Sequence, residues 1–405
     1  MKALGIYVHI PFCLQKCLYC DFLSAPSSAA RIGRYVEALC RELDLCAAFY
    51  KGYTVRTVFL GGGTPSVLSP AQMEDIFSHL HGRFEVGGEA EITVEMNPGT
   101  VTTDKLSVCR SMGVNRISLG LQSADNRELG SLGRIHTWES FLESYGLCRQ
   151  MGFTNLNIDL MSGLPGQTME SWMETLRRVS ALEAEHISAY SLILEEGTPF
   201  YDTYVIKNGA RALPLPDEET EYAMYLATRQ YLADQGYRRY EISNYAKPGR
   251  ECRHNCIYWM RGDYAGFGLG AASMVSNRRW SNERDLDTYL ERWGKEDKGD
   301  GGGYDGGYDE REAVNLSVQR KPEEGRYLSA GEQMEETMYL GLRMTGGISR
   351  GNFCRTFGHM PEAVYGGVLE KHRAAGLLEY CGDSIRLTER GMDVSNYVLA
   401  DFLLT

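Results

Sequence analysis

The sequence predicts an α/β fold: a partial (β/α)6 barrel of the TIM type, or a doubly wound sheet, followed by a smaller α+β domain. Two observations carry this. Short apolar runs rich in Val and Ile alternate with longer amphipathic stretches through the first 240 residues, and such strand–helix alternation implies a parallel sheet with right-handed crossovers. Several polar residues fall just past the ends of these apolar runs, where both architectures place their active sites.

The strands are expected at Ile6–Ile10, Val55–Leu60, Ala90–Met96, Arg116–Gly120, Leu156–Leu160 and Ile187–Leu192. Helical patterns fill 31–50, 70–82, 103–112, 137–151 and 168–182, and a further one covers 217–235. The periodicity changes after residue 240, so 1–240 is expected as the barrel and 241–295 as a glycine- and aromatic-rich extension. Residues 296–328 contain EDKGDGGGYDGGYDE and read as a flexible Gly/Asp-rich linker. The remainder, 329–405, opens on a helical pattern and ends in a small hairpin or wing, giving an α+β domain.

Composition excludes several classes. A formal charge of −12 argues against a general nucleic-acid binder. No apolar run approaches the roughly 18 residues needed to span a bilayer, and the N-terminus lacks the apolar core of a signal peptide. Eleven cysteines, mostly scattered singly, do not form a disulfide framework, so a cytoplasmic location is expected.

The run HIPFCLQKCLYCDF places Cys13, Cys17 and Cys20 on a loop directly after the first strand. Three thiolates can hold three irons of a cubane and leave the fourth iron open, whereas electron carriers use four ligands. A zinc or purely structural role is the alternative, although no second cysteine pair with zinc-site spacing accompanies the triplet. Phe12 and Tyr19 suit such a loop because aromatic side chains keep water from the irons. GGGTPS, Gly61–Ser66, follows the second strand and lets a ligand approach bare backbone. Its spacing matches neither dinucleotide nor P-loop motifs. Glu95, Gln122, Arg134 and Asp159 stand near successive strand ends. A carboxylate in an apolar strand is costly unless it meets a cation or donor. Together these four could hold an amino acid and a ribose.

The motifs HIPFCxxxCxYC, GGGTPS, VExNP, GLQS and DLMxGLPGQT resemble the oxygen-independent coproporphyrinogen oxidase branch of the radical S-adenosylmethionine (SAM) superfamily. The resemblance implies a radical SAM barrel, a 4Fe-4S cluster on Cys13, Cys17 and Cys20, and SAM chelating the open iron. One electron then cleaves the sulfonium to methionine and a 5′-deoxyadenosyl radical. It also implies that Tyr7 lies against the methionine portion of SAM and Tyr19 near the adenine. Gly62, Gly63 and Thr64 would take the amino end, and Glu95, Gln122, Arg134 and Asp159 the remaining contacts. His9 shares a strand face with Tyr7 and reads equally as a supporting or a structural histidine.

The branch holds oxidases and heme chaperones. Oxidases carry a segment before the first strand and a fourth cysteine two residues after the third; here that position is Phe22, and Tyr7 stands close to the start. Oxidative decarboxylation of coproporphyrinogen III is therefore the alternative reading. His254-Asn255-Cys256-Ile257-Tyr258-Trp259 resembles the HNxxYW motif of the chaperones. It implies heme on His254, since neutral imidazole is a common axial ligand. Tyr258 and Trp259 would pack on the macrocycle. Arg253, Arg261, Arg278 and Arg279 are candidates for the propionates, and Cys252/Cys256 remain open as a zinc or redox pair. The expected partners are heme, an acceptor hemoprotein (a respiratory one among the candidates) and a second copy of the chain, with transient membrane association.

Overall fold

The computed structural model describes residues 1–208, 212–294 and 325–404. Six parallel strands run in chain order across the centre of one sheet: β1 (Lys2–Ile10), β2 (Tyr53–Gly62), β3 (Val86–Met96), β4 (Arg116–Gln122), β5 (Leu156–Ser162) and β6 (His186–Ser191). Each expected strand is present. Helices α1 (Ala29–Cys46), α2 (Pro70–Arg83) and α3 (Thr103–Ser111) follow the first three. A short α4 (Asn126–Ser131) and α5 (Trp138–Gln150) follow β4, and α6 (Met169–Ser180) follows β5. Their starts are legible in sequence: Ser69 with Gln72, Thr137 with Ser140 and Thr168 with Ser171 form reciprocal capping boxes.

The sheet has two chemically different faces. Ile6, Val8 and Ile10 of β1, Val58 and Leu60 of β2, and Ile92 and Val94 of β3 belong to one apolar core with the helices. Leu119 of β4 and Ile158 of β5 join them. The alternate residues line the barrel interior and are largely polar: Tyr7, His9, Thr57, Glu91, Glu95, Arg116, Ser118, Asn157, Asp159 and His186. This follows from the period-2 alternation of a strand. The helix-facing side supplies the burial free energy, and the lumen is left for chemistry.

The sheet continues beyond the six strands. After a helical segment at 199–206 (α7, Pro199–Tyr201, with a wider turn) and α8 (Glu218–Asp234), β7 (Arg238–Arg239) and β8 (Asn244–Ala246) form an antiparallel pair on β6. Residue 240, the expected boundary between 1–240 and 241–295, lies between the two strands of this hairpin. Next come α9 (Arg253–Trp259), β9 (Tyr264–Phe267), β10 (Ala272–Val275), β11 (Arg278–Ser281) and α10 (Leu286–Trp293). β9 pairs parallel with β1 and closes that edge. Most of the expected linker, 296–324, lies outside the described residues. Arg326–Tyr327 (β12) pairs with β11 and Leu328 is fully buried.

The C-terminal region has its own core around Met338, Phe353, Leu369 and Phe402, and a three-stranded antiparallel sheet containing the expected hairpin, Leu378–Cys381 with Ser384–Leu387. It is docked by charge. Glu336, on the helix Ala330–Gly341, takes the half-buried Arg279 at 2.7 Å and the buried Arg261 at 3.0 Å. Arg343 lies over the Trp259 ring, 4.5 Å from its centroid. Among the described residues no helix is long and apolar enough to cross a membrane.

Candidate functional site

The three cysteines occupy the loop leaving β1, and the loop is held from both sides. Cys13 N–H donates to Ala25 O and Ala25 N–H to Pro11 O, folding the segment back on itself. Leu18 N–H donates to Leu132 O at 3.0 Å, and Gln15 donates to Gly133 O at 2.9 Å. All three thiols face one cleft of about 440 Å³ at the C-terminal end of the strands. Two already have a donor: Thr64 Oγ1 lies 3.5 Å from Cys13 Sγ, and Arg134 Nη1 lies 3.4 Å from Cys17 Sγ. Burial raises the Cys20 pKa. Among the described residues no three His, Cys, Asp or Glu side chains gather as a single-ion site. The donor set therefore fits a multi-iron cluster, in which each thiolate takes its own iron, better than zinc.

The glycine turn after β2 packs against this loop. Gly63 N–H donates to Ile10 O at 2.8 Å and Thr64 N–H to Phe12 O at 2.7 Å. A Cβ on Gly63 would lie 2.6 Å from Phe12 O, and one on Gly62, whose φ is +108°, would lie 2.4 Å from the His9 ring. Glycine is thus required twice, for close approach and for backbone conformation. Phe12 itself is buried edge-on against Tyr35, 5.1 Å between centroids. It braces the loop from the core. Tyr19 sits on the cleft wall against Phe200, as a shielding aromatic should.

Glu95 ends β3 with its carboxylate on the cleft and accepts the Gly62 N–H at 3.1 Å. Burial, and the charge of Asp159 nearby, push its pKa up to about 8. Asp159 accepts from Asn157 at 2.7 Å and Ser118 at 3.2 Å, and burial raises its pKa too. Gln122 sits at a bulge between β4 and β5 with φ +78°, and its side-chain oxygen accepts from Tyr190 at 2.9 Å. Arg134 contacts the Gly120 carbonyl and donates to Asn97 Oδ1 at 3.2 Å; Asn97 donates to Thr64 Oγ1 at 2.9 Å. A chain of donors thus runs from Arg134 through Asn97 and Thr64 to Cys13. The GLPGQT turn supports it from behind: Gln167 and Ser171 both donate to the buried Glu128 of α4.

Eight of the nine residues expected at SAM therefore line one cleft: Tyr19, Gly62, Gly63, Thr64, Glu95, Gln122, Arg134 and Asp159. Tyr7 does not reach it. Its hydroxyl meets His9 Nδ1 at 2.9 Å, and His9 Nε2 lies 2.9 Å from Leu23 O. A carbonyl can only accept, so His9 carries its proton on Nε2 and accepts from Tyr7. Tyr7 and His9 form the layer under Gly62.

His254 differs from its expected role. It is 1% exposed, inside the lumen. Nδ1 lies 2.7 Å from Thr57 Oγ1 and Nε2 lies 2.8 Å from Tyr258 OH. Burial lowers its pKa to about 3. Both nitrogens are hydrogen-bonded to hydroxyls in this arrangement. Tyr258 is engaged with His254, and Trp259 with Arg343, rather than presenting a macrocycle platform. Arg261 and Arg279 pair with Glu336, and the exposed Arg253 donates to the Glu89 carbonyl at 2.7 Å. Cys252 is buried and its Sγ lies 3.7 Å from Glu91 Oε1. Burial pushes both Cys252 and Cys256 up to about 12, which opposes a thiolate role.

Asn97, Tyr190, Ser118 and Glu91 escaped the sequence reading. Asn97 had a signal, standing two residues after Glu95 in VEMNP. Glu91 had one as well, as a second carboxylate on the same face of β3 as Glu95. It accepts the backbone N–H of Arg253 and of His254 at 3.0 Å each, capping α9 from another strand.

Residues 7–179 match the family model of the radical SAM superfamily, and residues 328–394 match that of the HemN C-terminal domain. The chain is 36% identical to the heme chaperone HemW of Escherichia coli strain K12, over 100% of this chain and 99% of that one. It is 32% identical to the heme chaperone HemW of Bacillus subtilis strain 168, over 98% of both. The solved structure of coproporphyrinogen III oxidase (HemN) from Escherichia coli superposes with a TM-score of 0.81 at 22% identity, covering 100% of this chain and 90% of that one. That likeness is one of fold.

Proposed function

Because this chain belongs to the HemW heme chaperone family of the radical SAM superfamily, we propose that it binds heme and hands it to an acceptor hemoprotein, with SAM and a 4Fe-4S cluster in the cleft controlling the transfer. The carrying observation is the convergence of Cys13, Cys17 and Cys20 with Glu95, Arg134 and Asp159 on one cleft. Bound there, the cluster and SAM supply one-electron chemistry at a sulfonium.

The chain's own residues bind, orient and exclude water. Cys13, Cys17 and Cys20 hold the cluster, and the Arg134–Asn97–Thr64 chain fixes the direction of the first two thiolates. Gly62 and Gly63 would bring bare backbone up to the amino end of SAM, where the Glu95 carboxylate, which already accepts the Gly62 N–H, would accept an N–H of the amine. Asp159, held by Asn157 and Ser118, and Gln122, held by Tyr190, offer oxygens to a ribose. Tyr19 covers the adenine side. Tyr7 supports the methionine portion indirectly, through His9 and Gly62.

The eleven free cysteines suit a reducing cytoplasm. The acceptor, a respiratory hemoprotein among the candidates, and a second copy of the chain are the expected partners; transient membrane association would bring the first within reach. The deciding experiment uses anaerobically reconstituted protein in two assays. Hemin uptake and its transfer to an apo-hemoprotein, with no conversion of coproporphyrinogen III under SAM and reductant, is the expected result. Formation of protoporphyrinogen IX without transfer would promote the oxidase reading instead.

A further inference from the structure

The residue that follows His254 faces the other site. Asn255 is half-buried and lines the cleft of the three thiols, and among the described residues its side-chain amide makes no hydrogen bond. Asn244 of β8 lines the same cleft and is 9% exposed. Its nitrogen donates to Glu241 Oε1 at 2.6 Å, which fixes the orientation of the amide and leaves Oδ1 buried without a partner. The pairing register sets Asp159, Ser188 and Asn244 opposite one another on β5, β6 and β8. A polar row therefore runs from Asp159 to this oxygen. A buried acceptor without a donor is costly, and an O–H or N–H from a ligand in the cleft removes that cost. Helix α9 is meanwhile closely seated. Glu91 accepts its first two N–H groups at 3.0 Å, Thr57 meets His254 at 2.7 Å, and a Cβ on Gly5 would come within 2.9 Å of Ile257. For an iron to reach His254 Nε2, the Tyr258 hydroxyl must give way and α9 must lift from β1 and β2.

We propose that Asn255 and Asn244 form a contact for SAM on the wall of the cleft, and that SAM held there keeps α9 seated and drives heme off His254. The proposal rests on the heme-carrying reading above, with His254 as the iron's ligand as the HNxxYW resemblance implies, and adds the link between the two ligands. Asn255 offers the cleft both a donor and an acceptor, and Asn244 offers an acceptor. SAM thereby gains partners on α9 and β8 besides those on β2–β5. The contact with Asn255 is made while α9 is seated, whereas the iron bond to His254 is made once α9 has lifted. The two ligands favour opposite positions of one short helix, so each weakens the other by the same factor. When the iron–Nε2 bond breaks, the Tyr258 hydroxyl takes the nitrogen again, as it does here at 2.8 Å, and the acceptor's own ligand takes the iron. Without SAM the carrier keeps its cargo; with SAM it lets go.

The test is a hemin titration of the cluster-loaded full chain, followed at the Soret band with and without saturating SAM. Reductant is left out, so that SAM stays intact. SAM is expected to weaken hemin binding about tenfold, a coupling of ordinary size, and calorimetry should show hemin weakening SAM binding by the same factor. Asn255→Ala should bind SAM more weakly, and at SAM concentrations that still saturate it the hemin affinity should no longer depend on SAM. Gln122→Asn alters a cleft residue on β4, away from α9. It should lower SAM affinity and keep the tenfold factor. Asn255→Ser takes the place of Asn255→Ala if the latter fails to fold. If the unaltered protein binds hemin as tightly or more tightly with SAM, or if the Asn255 variant keeps the tenfold factor, the link is wrong and the heme-carrying reading survives. If the unaltered protein takes up no hemin, the heme-carrying reading itself falls.

Discussion

His254 Nδ1 lies 2.7 Å from the hydroxyl of Thr57, a residue almost two hundred positions earlier on β2. The contact makes the HNxxYW segment part of the barrel wall. It joins α9 to β2 by a side chain, and Glu91 joins α9 to β3 through its backbone. The motif therefore brackets the barrel against the C-terminal region, which meets the far end of α9 at Trp259 and Arg343.

Replacing His254 by Ala should act on stability first. It leaves a cavity and two hydroxyls without their partner, a cost of roughly 2–4 kcal/mol. Urea unfolding should show that loss. A lost Soret band in a folded His254→Ala protein would identify the histidine as ligand.

The same residue makes stability depend on acid. Its folded pKa of about 3 lies below the ordinary histidine value, so the folded state holds fewer protons than the unfolded chain between these two values. The stabilising contribution is complete above about pH 6.5 and is lost as pH falls toward 3, at up to about 1.4 kcal/mol per pH unit. His254→Gln should flatten this part of the profile in unfolding curves measured between about pH 4 and 7.

Glu95 has the opposite shift. With its pKa near 8, the carboxyl is protonated at neutral pH in the empty cleft. Accepting an N–H of the SAM amine as a carboxylate requires the proton to leave. SAM affinity should therefore rise with pH until about 8, by up to about tenfold per unit. Calorimetry in buffers of different ionisation enthalpy should show proton release on binding. Glu95→Gln should remove both the slope and the release.

Gly62→Ala and Gly63→Ala should each prevent a native cleft, because the new Cβ meets the His9 ring at 2.4 Å or Phe12 O at 2.6 Å. Cluster absorption after reconstitution and SAM binding are the measurements. Gly82→Ala, in α2 with nothing within 4 Å of the new Cβ, should leave both intact and stabilise the fold by about 0.5–1 kcal/mol.

Glu336 is the carboxylate under Arg261 and Arg279. Glu336→Gln leaves the buried Arg261 without its counter-charge and removes that of the partly exposed Arg279, at a cost of about 2–3 kcal/mol. Hydrogen exchange should speed up in the helix Ala330–Gly341 and in β11, with β1–β6 unaffected.

Sequence by itself determined the six parallel strands, the polar residues at their ends, and the triplet Cys13, Cys17 and Cys20. Each rests on a local pattern: hydrophobic period, capping residues, or spacing within a dozen positions. The short strands β7–β12 left no such mark, because two to four residues are too few to show a period. Only tertiary structure decided which polar groups were already satisfied. Arg261 and Arg279 resembled free cations until Glu336 was brought to them, and His254 resembled an open ligand until Thr57 and Tyr258 closed on it. Tyr7, on the strand that leads into the cluster loop, meets His9 and stands one layer beneath the residues that line the cleft. The reason is common to all three. A residue's type and its neighbours in sequence set what it can bind, but burial and long-range partners set whether that capacity is still unspent.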